Sequence, residues 1–248
     1  MPDFLFFRKI IILAQLCVCL LLPPPLLAAD QITLASRQDS PLNAITEKVL
    51  EEAYRRIGIK VTFERFAGDR SIFLANKGVL DGEVSRLRFV LQNYTNLRLV
   101  PVPIFYSEIV AFTIKPGIII ESWESLAAYR VAFPASFRLI GNHLKSHPHT
   151  LKTADTSSAL EALFQDKVEV AVANRYEGER LIDVFGYRGV HTQLPPLESK
   201  PIFHLLHEKN ASLIPSLTKA LETMTEDGTL KRIWNEKGWA RVETPESR

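Results

Sequence analysis

Short apolar runs alternate along this chain with segments in which apolar residues recur every three or four positions. The first run, Gln31 to Ala35, predicts a β-strand, and the segment after it predicts an amphipathic helix. Ser40 and Pro41 suit the start of that helix, and Gly58 suits its end. The buried stripe of the helix is predicted to consist of Leu42, Ile45, Val49, Ala53 and Ile57.

The same order of strand and helix continues to the C-terminus. Further strands are predicted at 59–63, 80–85, 97–100, 104–114, 130–133, 168–173 and 201–207. Further helices are predicted at 69–77 with Asp69 as cap, at 122–129 with Ser122 as cap, from Ser136 onward, and at 156–165, 175–185, 214–224 and 230–239. Because no low-complexity segment or short repeat interrupts this order, the predicted fold class is α/β.

Two of the predicted strands are placed to cross between two lobes. The segments 108–115 and 200–208 each follow a complete set of strands and helices, and together they would form a two-segment hinge. We therefore expect residues 30–112 to form the first part of lobe 1, residues 113–198 to form lobe 2, and residues 199–248 to return to lobe 1 with the C-terminal helices. A cleft between two hinged lobes is a common place for a small-molecule site.

Residues 1–29 have the character of a cleaved secretory signal peptide. Arg8 and Lys9 precede an apolar run from Ile10 to Leu22. The run is too short to span a hydrocarbon core of about 30 Å comfortably, and the small residues after it suit cleavage. Both cysteines lie in this run, so the mature chain has no disulfide and depends on its core, as expected of a bacterial periplasmic domain. An uncleaved N-terminal anchor is the alternative.

The charge balance excludes a general nucleic-acid surface. The chain has 30 basic and 28 acidic residues, and removal of Arg8, Lys9 and Asp3 with the signal leaves 28 and 27. With 46% hydrophobic residues and no later apolar stretch long enough to span a membrane, the remainder is predicted to be soluble and globular.

Several motifs follow one another in a fixed order across the mature chain. They are Leu80-Asp81-Gly82-Glu83-Val84-Ser85, Pro103-Ile104-Phe105-Tyr106, Trp123-Glu124-Ser125-Leu126, Arg130-Val131-Ala132, the unit from Ala159-Leu160 to Asn174, and Asp227-Gly228-Thr229-Leu230-Lys231-Arg232-Ile233-Trp234. In this order they resemble the bacterial extracellular solute-binding protein family 3, whose members serve amino-acid ABC transporters. The resemblance implies a two-lobe periplasmic-binding-protein-like fold of type II, a small-molecule ligand, no cofactor and no catalytic activity. It also implies a periplasmic monomer that hands its solute to an inner-membrane ABC permease.

The residues that this resemblance places around the ligand differ from those of amino-acid binders. Where such proteins carry an arginine for the α-carboxylate, this chain has Asn93, and where they carry an aspartate for the ammonium group, it has Asn174. These two differences argue against an ordinary α-amino acid as the ligand. Arginine donates a fork of hydrogen bonds that suits an oxyanion, so the predicted ligand is a small polar solute that bears a carboxylate or is otherwise anionic. The predicted ligand-binding residues are Arg70, Ser85, Arg86, Arg88, Tyr106, Phe133, Ser136, Asn174 and Arg175.

These assignments have simpler alternatives. The arginines can form surface salt bridges, and an aromatic residue at a strand end, such as Phe133, can belong to the core. The spacing of His143 and His147 suggests a metal site, but Pro148 interrupts the helix and no acidic ligand is near, so no metal site is predicted.

Two other functions compete with solute capture. One is a periplasmic enzyme on the same scaffold that resembles cyclohexadienyl dehydratase, with Glu108 or Glu177 as acid or base. The other is the ligand-binding unit of a sensor system, which would need a separate signalling partner.

Overall fold

The computed structural model describes residues 31–38 and 42–235. The predicted signal peptide at 1–29, Ser40, Pro41 and the last part of the predicted C-terminal helix lie outside the described residues. The strands within them are β1 (Gln31–Arg37), β2 (Lys60–Phe66), β3 (Gly82–Leu87), β4 (Leu97–Thr113), β5 (Val131–Pro134), β6 (Thr150–Thr153), β7 (Val170–Asn174), β8 (His191–Thr192) and β9 (Glu198–His207). The helices are α1 (Asn43–Arg56), α2 (Arg70–Asn76), α3 (Arg138–His143), α4 (Thr156–Phe164), α5 (Arg175–Phe185), α6 (Ile214–Glu226) and α7 (Thr229–Asn235). None of the helices in the described ranges has the length and apolar character needed to cross a membrane.

The strands share one hydrogen-bonded path in the order β2-β1-β3-β9-β4-β7-β5-β6, with β8 beside β4. β1 runs parallel to β2 and β3, and β5 runs parallel to β6 and β7. The long antiparallel strands β4 and β9 join these two parallel sets, which belong to a first and a second lobe. The lobe boundaries expected at residues 112 and 198 stay predictions.

Each lobe contains one part of this sheet, with helices packed on both of its faces. In the first lobe, one face packs on α1, α6 and α7 around a cluster that includes Trp234, and the other face packs on α2 through Ile72. In the second lobe, one face packs on α3 through Ile140 and the other on α4 and α5 through Leu160. The predicted stripe of α1 is buried except at Ile57, which is partly exposed. Burial on both faces gives each lobe its own core, as expected for layered α/β folds.

The strands predicted at 97–100 and 104–114 are one continuous strand, β4. Pro101 and Pro103 lie at the predicted division, and proline cannot donate a hydrogen bond to a neighbouring strand. The structure accommodates them by shifts of register in the pairing with β9 on either side of Pro103. A bulge of this kind bends a strand without ending it, so one strand passes through both lobes.

The helix starts differ in part from the prediction. α3 begins at Arg138, whose N–H donates to the Ser136 carbonyl at 3.1 Å, so Ser136 lies in the turn before the helix rather than at its start. Asp69 occupies the N-cap position of α2, but its side chain makes no capping hydrogen bond. Asn174 does cap its helix, because its side-chain oxygen accepts two backbone N–H groups of α5 at 3.1 and 3.3 Å.

Candidate functional site

The carboxyl ends of the parallel strands in both lobes approach the same stretch of β4. At the end of β3, Leu87 pairs with Ile202 of β9, which pairs in turn with Phe105 of β4. At the end of β7, Asn174 pairs with Ile109 of β4. The stretch of β4 from Phe105 to Ile109, which we call the junction, therefore lies between the two sets of strand ends. In α/β folds ligands bind outside the carboxyl ends of strands, so the candidate site is a cleft at the junction.

A largely buried ionic cluster extends along β3, beside the carboxyl end of β1. This strand-end cluster consists of Arg37, Ser71, Glu83 and Arg86, of which Glu83 is 1% exposed and Arg86 is 9% exposed. Nε of Arg86 lies 3.0 Å from Oε1 of Glu83, and Nη2 of Arg86 donates to Oγ of Ser71 at 2.7 Å. Oγ of Ser71 lies 3.4 Å from the same oxygen of Glu83. The predicted ligand residue Arg86 is therefore engaged with a buried carboxylate of its own lobe.

Burial controls the charges in the strand-end cluster. It raises the pKa of Glu83 to about 7, although Arg86, Ser71 and Arg37 each act to lower it. Burial also lowers the pKa of Arg86, against the attraction of Glu83. Because the pKa of a guanidinium starts far above neutrality, Arg86 keeps its charge, and Glu83 is the group whose charge changes near neutral pH.

A second buried ion pair ties the junction to the second lobe. Nη1 of Arg175, the first residue of α5, donates to Oε2 of Glu108 at 2.8 Å, and Glu108 is fully buried. Nε of Arg175 donates to Oε1 of Glu179 at 3.1 Å, and the hydroxyl of Thr192 donates to the same oxygen at 3.0 Å. Burial by itself would lower the pKa of Arg175, but the bonds to the two glutamates outweigh burial and raise that pKa. Arg175 is therefore held by two carboxylates.

Asn174 uses both polar atoms of its side chain within the protein. Its oxygen caps α5, and its Nδ2 donates to Oγ of Ser107 at 3.1 Å. Two residues further on, the hydroxyl of Tyr176 donates to the Tyr106 carbonyl at 3.2 Å. The Tyr176 ring is buried in the first-lobe core, with its centroid 6.3 Å from that of Trp234. Three successive residues from 174 to 176 thus join the second lobe to the junction and to the first-lobe core.

The remaining candidates of the first lobe lie nearer the surface. Ser85 and Tyr106 are partly exposed beside the strand ends, and Arg70 is exposed at the start of α2. Arg88 is also exposed, and its guanidinium carbon lies 5.3 Å from the ring centroid of Phe203, a cation–π arrangement.

Two second-lobe candidates, Phe133 within β5 and Ser136 after it, differ in exposure. Phe133 is 2% exposed in the second-lobe core, which is the alternative that the sequence left open. Ser136 is exposed in the turn before α3, so the predicted helix start at Ser136 is wrong, because α3 begins two residues later, and its contact with a ligand stays a prediction. Among the described residues, no group of three or more His, Cys, Asp or Glu side chains is arranged to hold a metal ion.

Sequence reasoning missed the carboxylates that pair with the arginines. The motif pattern includes Glu83 and proposes Glu108 as a candidate acid or base, but it assigns neither to an arginine. A signal is present nonetheless, since both glutamates stand among apolar residues of predicted strands, and a buried charge has to be paired. Ser71 and Ser107 carry no such signal, because serine is common on helices and strands that face water.

His204 connects the strand-end cluster to the first-lobe core. This fully buried residue of β9 bonds the Glu83 carbonyl through Nδ1 at 2.9 Å and the Tyr54 hydroxyl through Nε2 at 2.8 Å. Because a carbonyl only accepts, Nδ1 carries the proton, and Nε2 accepts from Tyr54. Burial lowers the pKa of His204 to about 4, so the ring is neutral near pH 7. The hydrogen-bonded pair of His204 and Tyr54 therefore fixes the backbone of β3 at Glu83, the residue that carries the buried carboxylate.

Comparison with known proteins identifies the fold but not a sequence family. No family model matches the chain. Over 224 residues the chain is 22% identical to an uncharacterized protein of Shewanella oneidensis, an alignment that covers 85% of this chain and 84% of that protein.

Solved structures resemble the chain along most of its length. The L-cystine solute receptor of Neisseria gonorrhoeae, in the unliganded open conformation, has a TM-score of 0.69 at 14% identity and covers 83% of this chain and 92% of its own. The probable amino-acid ABC transporter extracellular-binding protein ytmK of Bacillus subtilis has a TM-score of 0.69 at 13% identity and covers 84% of this chain and 98% of its own. A histidine kinase sensor domain with similarity to periplasmic binding proteins has a TM-score of 0.65 at 14% identity and covers 88% and 99%.

At these identities the similarity establishes the fold. The chain has the two-lobe α/β fold of the type II periplasmic binding proteins, and the predicted fold class is confirmed. The structural neighbours resemble solute-binding protein family 3, which agrees with the motif resemblance at the level of the fold.

Proposed function

We propose that this protein is an exported, non-catalytic solute-binding protein that captures a small anionic solute, in the simplest case a carboxylate, between its lobes. The observation that carries the proposal is the placement of Arg86 near the carboxyl end of β3, beside the junction. The similarity to receptors and binding proteins for L-cystine and other amino acids supports ligand capture as the role of the cleft.

Arg86 is better placed than Arg175 for a ligand. Within the described residues its Nη2 donates to Ser71 and its Nε lies in ion-pair contact with Glu83 without a hydrogen bond, which leaves Nη1 for an oxygen of the solute. Ser85 beside it is partly exposed, and Arg70 adds an exposed positive charge at the start of α2. Arg175 bonds two carboxylates, so its charge is already neutralised and it serves mainly to hold the junction. We therefore assign oxyanion recognition to the first lobe.

The second lobe supports a ligand without an ammonium group. Both polar atoms of Asn174 are used for the α5 cap and the bond to Ser107, and the Glu108 carboxylate is fully buried against Arg175. A free α-ammonium group would need a carboxylate near the end of β7. The carboxylate in the first turn of α5, Glu177, already accepts from the hydroxyl of Thr156 at 2.8 Å. With asparagine at position 174, we take these contacts to favour an organic acid over an α-amino acid.

The thermal stability of the protein tests the ligand class. Mono- and dicarboxylates, inorganic phosphate and the common amino acids are screened, since a solute that binds the folded state stabilises it by RT ln(1 + [L]/Kd). We expect carboxylates to raise the melting temperature, and we expect Arg86→Met to abolish the rise. Arg130→Met is the matched control, because Arg130 forms its ion pair with Glu169 on the second-lobe surface. Stabilisation by zwitterionic amino acids that persists in Arg86→Met would refute the anionic assignment.

The partner that receives the solute is proposed to be an inner-membrane ABC permease, reached after cleavage of the signal peptide near Ala29. A sensor system is the second candidate, because the similarity to a histidine kinase sensor domain extends over 88% of this chain. Uptake of the radiolabelled carboxylate by cells with and without the gene separates the two. Loss of uptake supports the permease, whereas unchanged uptake with a lost transcriptional response supports the sensor. Mass spectrometry of the periplasmic fraction tests cleavage.

A further inference from the structure

The buried carboxylate of Glu83 has fewer hydrogen-bond partners than it can accept. An ionised carboxylate can accept about four hydrogen bonds. Only Oε1 of Glu83 has partners, Arg86 and Ser71, whereas Oε2 is buried without a hydrogen-bond partner among the described residues. A buried charge that is only partly satisfied is costly, so the site favours protonation of Glu83 more than water does.

The surroundings of Glu83 are rich in positive charge. Arg86 and Arg37 both attract its carboxylate, and they repel each other. The charged and titratable groups that face the cluster come from each element packed on it, namely Arg37 from β1, Asp69 before α2, Arg86 from β3 itself, Tyr94 in the loop before β4, and the neutral His204 from β9. Glu83 is therefore the ion-pair partner of Arg86 and is also attracted by the charge of Arg37.

We infer that Glu83 is an internal substitute for the bound anion, so that a carboxylate solute replaces it as the partner of Arg86 while Glu83 takes up one proton from solvent. Before capture the pair is an ionised Glu83 and a charged Arg86. After capture it is a neutral Glu83, a charged Arg86 and the anion, so one proton and one negative charge enter together. The hydroxyl of the protonated Glu83 can donate to Oγ of Ser71, which already accepts from Arg86.

This inference rests on the proposed function and adds a regulation to the same site. Because burial raises the pKa of Glu83 to about 7, the proton is available near neutral pH. If capture requires a protonated Glu83, the dissociation constant of an anion rises by about tenfold for each pH unit above that pKa. Mild acidification would then promote capture and alkaline conditions would promote release.

Calorimetry on the wild-type chain measures the proton directly. Acetate, lactate and benzoate are titrated in pairs of buffers with different ionisation enthalpies, at matched ionic strength, at about pH 6 and about pH 8. We expect close to one proton taken up per anion at the higher pH, a smaller uptake at the lower pH, and about tenfold weaker binding at the higher pH. These monocarboxylates stay ionised throughout, so the proton must come to the protein.

A pair of glutamate variants identifies the group that takes the proton. In Glu83→Gln we expect the uptake to disappear and the affinity to be the same at both pH values. Glu47→Gln is the control, because Glu47 is also a buried first-lobe glutamate that bonds a serine, Ser36, and an arginine, Arg65. It should keep both the proton uptake and the pH dependence.

Each other outcome overturns the inference. Binding of the anions without proton uptake removes the coupling and leaves the proposed function standing. Proton uptake that persists in Glu83→Gln assigns the proton to another group. A failure of all three monocarboxylates to bind at either pH removes the coupling, while the wider solute panel continues to decide the proposed function. Because the first measurement uses the wild-type chain, it holds even if Glu83→Gln does not fold.

Discussion

The two buried pairs of arginine and glutamate are alike in composition and differ in how many glutamates the arginine contacts. Arg86 and Arg175 are each 9% exposed, and each faces a glutamate that is almost wholly buried. Arg175 is bonded to Glu108 and to a second glutamate, and its pKa is raised. Arg86 contacts one glutamate, Glu83, among the described residues, and burial lowers the pKa of Arg86.

The difference separates a structural contact from a responsive one. Removing Arg175 would leave two glutamates without their guanidinium partner, so this arginine holds its elements in one arrangement. Arg86 is compensated by a single carboxylate, so it gains from a new anionic partner. We therefore expect Arg175 to govern stability, and Arg86 to govern how the protein responds to anions and to pH.

The largest expected effect is that of Arg175→Met. The substitution leaves Glu108 buried without its guanidinium partner at the junction, and we expect it to lower the free energy of unfolding by about 3–5 kcal/mol. Urea unfolding measures the loss. The double variant with Glu108→Gln should recover a substantial part of it, because the stranded charge is gone. A loss below about 1 kcal/mol would show that the pair at the junction is not tightly held.

Arg86→Met is expected to have a smaller effect that depends on pH. At about pH 8 the substitution leaves Glu83 ionised and unpaired, and we expect a loss of about 2–3 kcal/mol; at about pH 6 Glu83 can take up a proton, and we expect about half of that. Unfolding by urea at the two pH values measures both losses. Equal losses at the two values would contradict the view that Glu83 changes its charge between them.

The smallest expected effect is on the pH dependence of stability, to which the buried Glu83 and His204 contribute with opposite signs. The folded pKa of Glu83, about 7, lies above its ordinary 4.5, so its contribution to stability is complete below about pH 4.5 and is lost as the pH rises through 7. The folded pKa of His204, about 4, lies below its ordinary 6.5, so its contribution is complete above about pH 6.5 and is lost as the pH falls through 4.

Between about pH 6.5 and 4.5 acidification should therefore leave the wild-type stability nearly unchanged. In Glu83→Gln we expect acidification over this window to cost about 1–2 kcal/mol, and in His204→Asn, which keeps a donor for the Glu83 carbonyl, we expect a gain of similar size. Denaturant unfolding at a series of pH values gives the slopes. The partly exposed Glu52 and Glu169, whose pKa values the bonds of Arg55 and Arg130 lower to about 2, change stability only below this window. A wild-type slope equal to that of Glu83→Gln would exclude Glu83 as a group that protonates there.

Local patterns predicted most of the elements. α5 runs from Arg175 to Phe185 as expected, and Gly58, with φ of 75°, ends α1 as expected, because a residue without a side chain adopts that conformation at little cost. The pattern did not predict β6 and β8, since these strands of four and two residues have no buried residue and show no apolar alternation. It divided β4 at its prolines, because the register shift that accommodates them depends on the partner strand β9.

The sequence predicted which residues lie near the candidate site, but it did not predict what those residues bond to. The sequence identified Arg86, Asn174 and Arg175 as residues near the cleft, and the structure places all three at strand ends beside the junction. Their bonding could not be predicted, because the partner of Asn174 is Ser107 on another strand. Phe133 belongs to the core, since the strand that ends there is covered on both faces.

The sequence by itself determined the alternation of strands and helices, and through it the two-lobe α/β class, because periodicity and end signals depend on residues a few positions apart. Only the tertiary structure decided that Arg86 faces Glu83 and Ser71, and that Arg175 reaches Glu108 across 67 positions of the chain. The physical reason is that the charge and function of a buried group depend on which atoms the fold brings within about 3 Å and on how much water it removes. Neither quantity is encoded in the local pattern of apolar and polar residues.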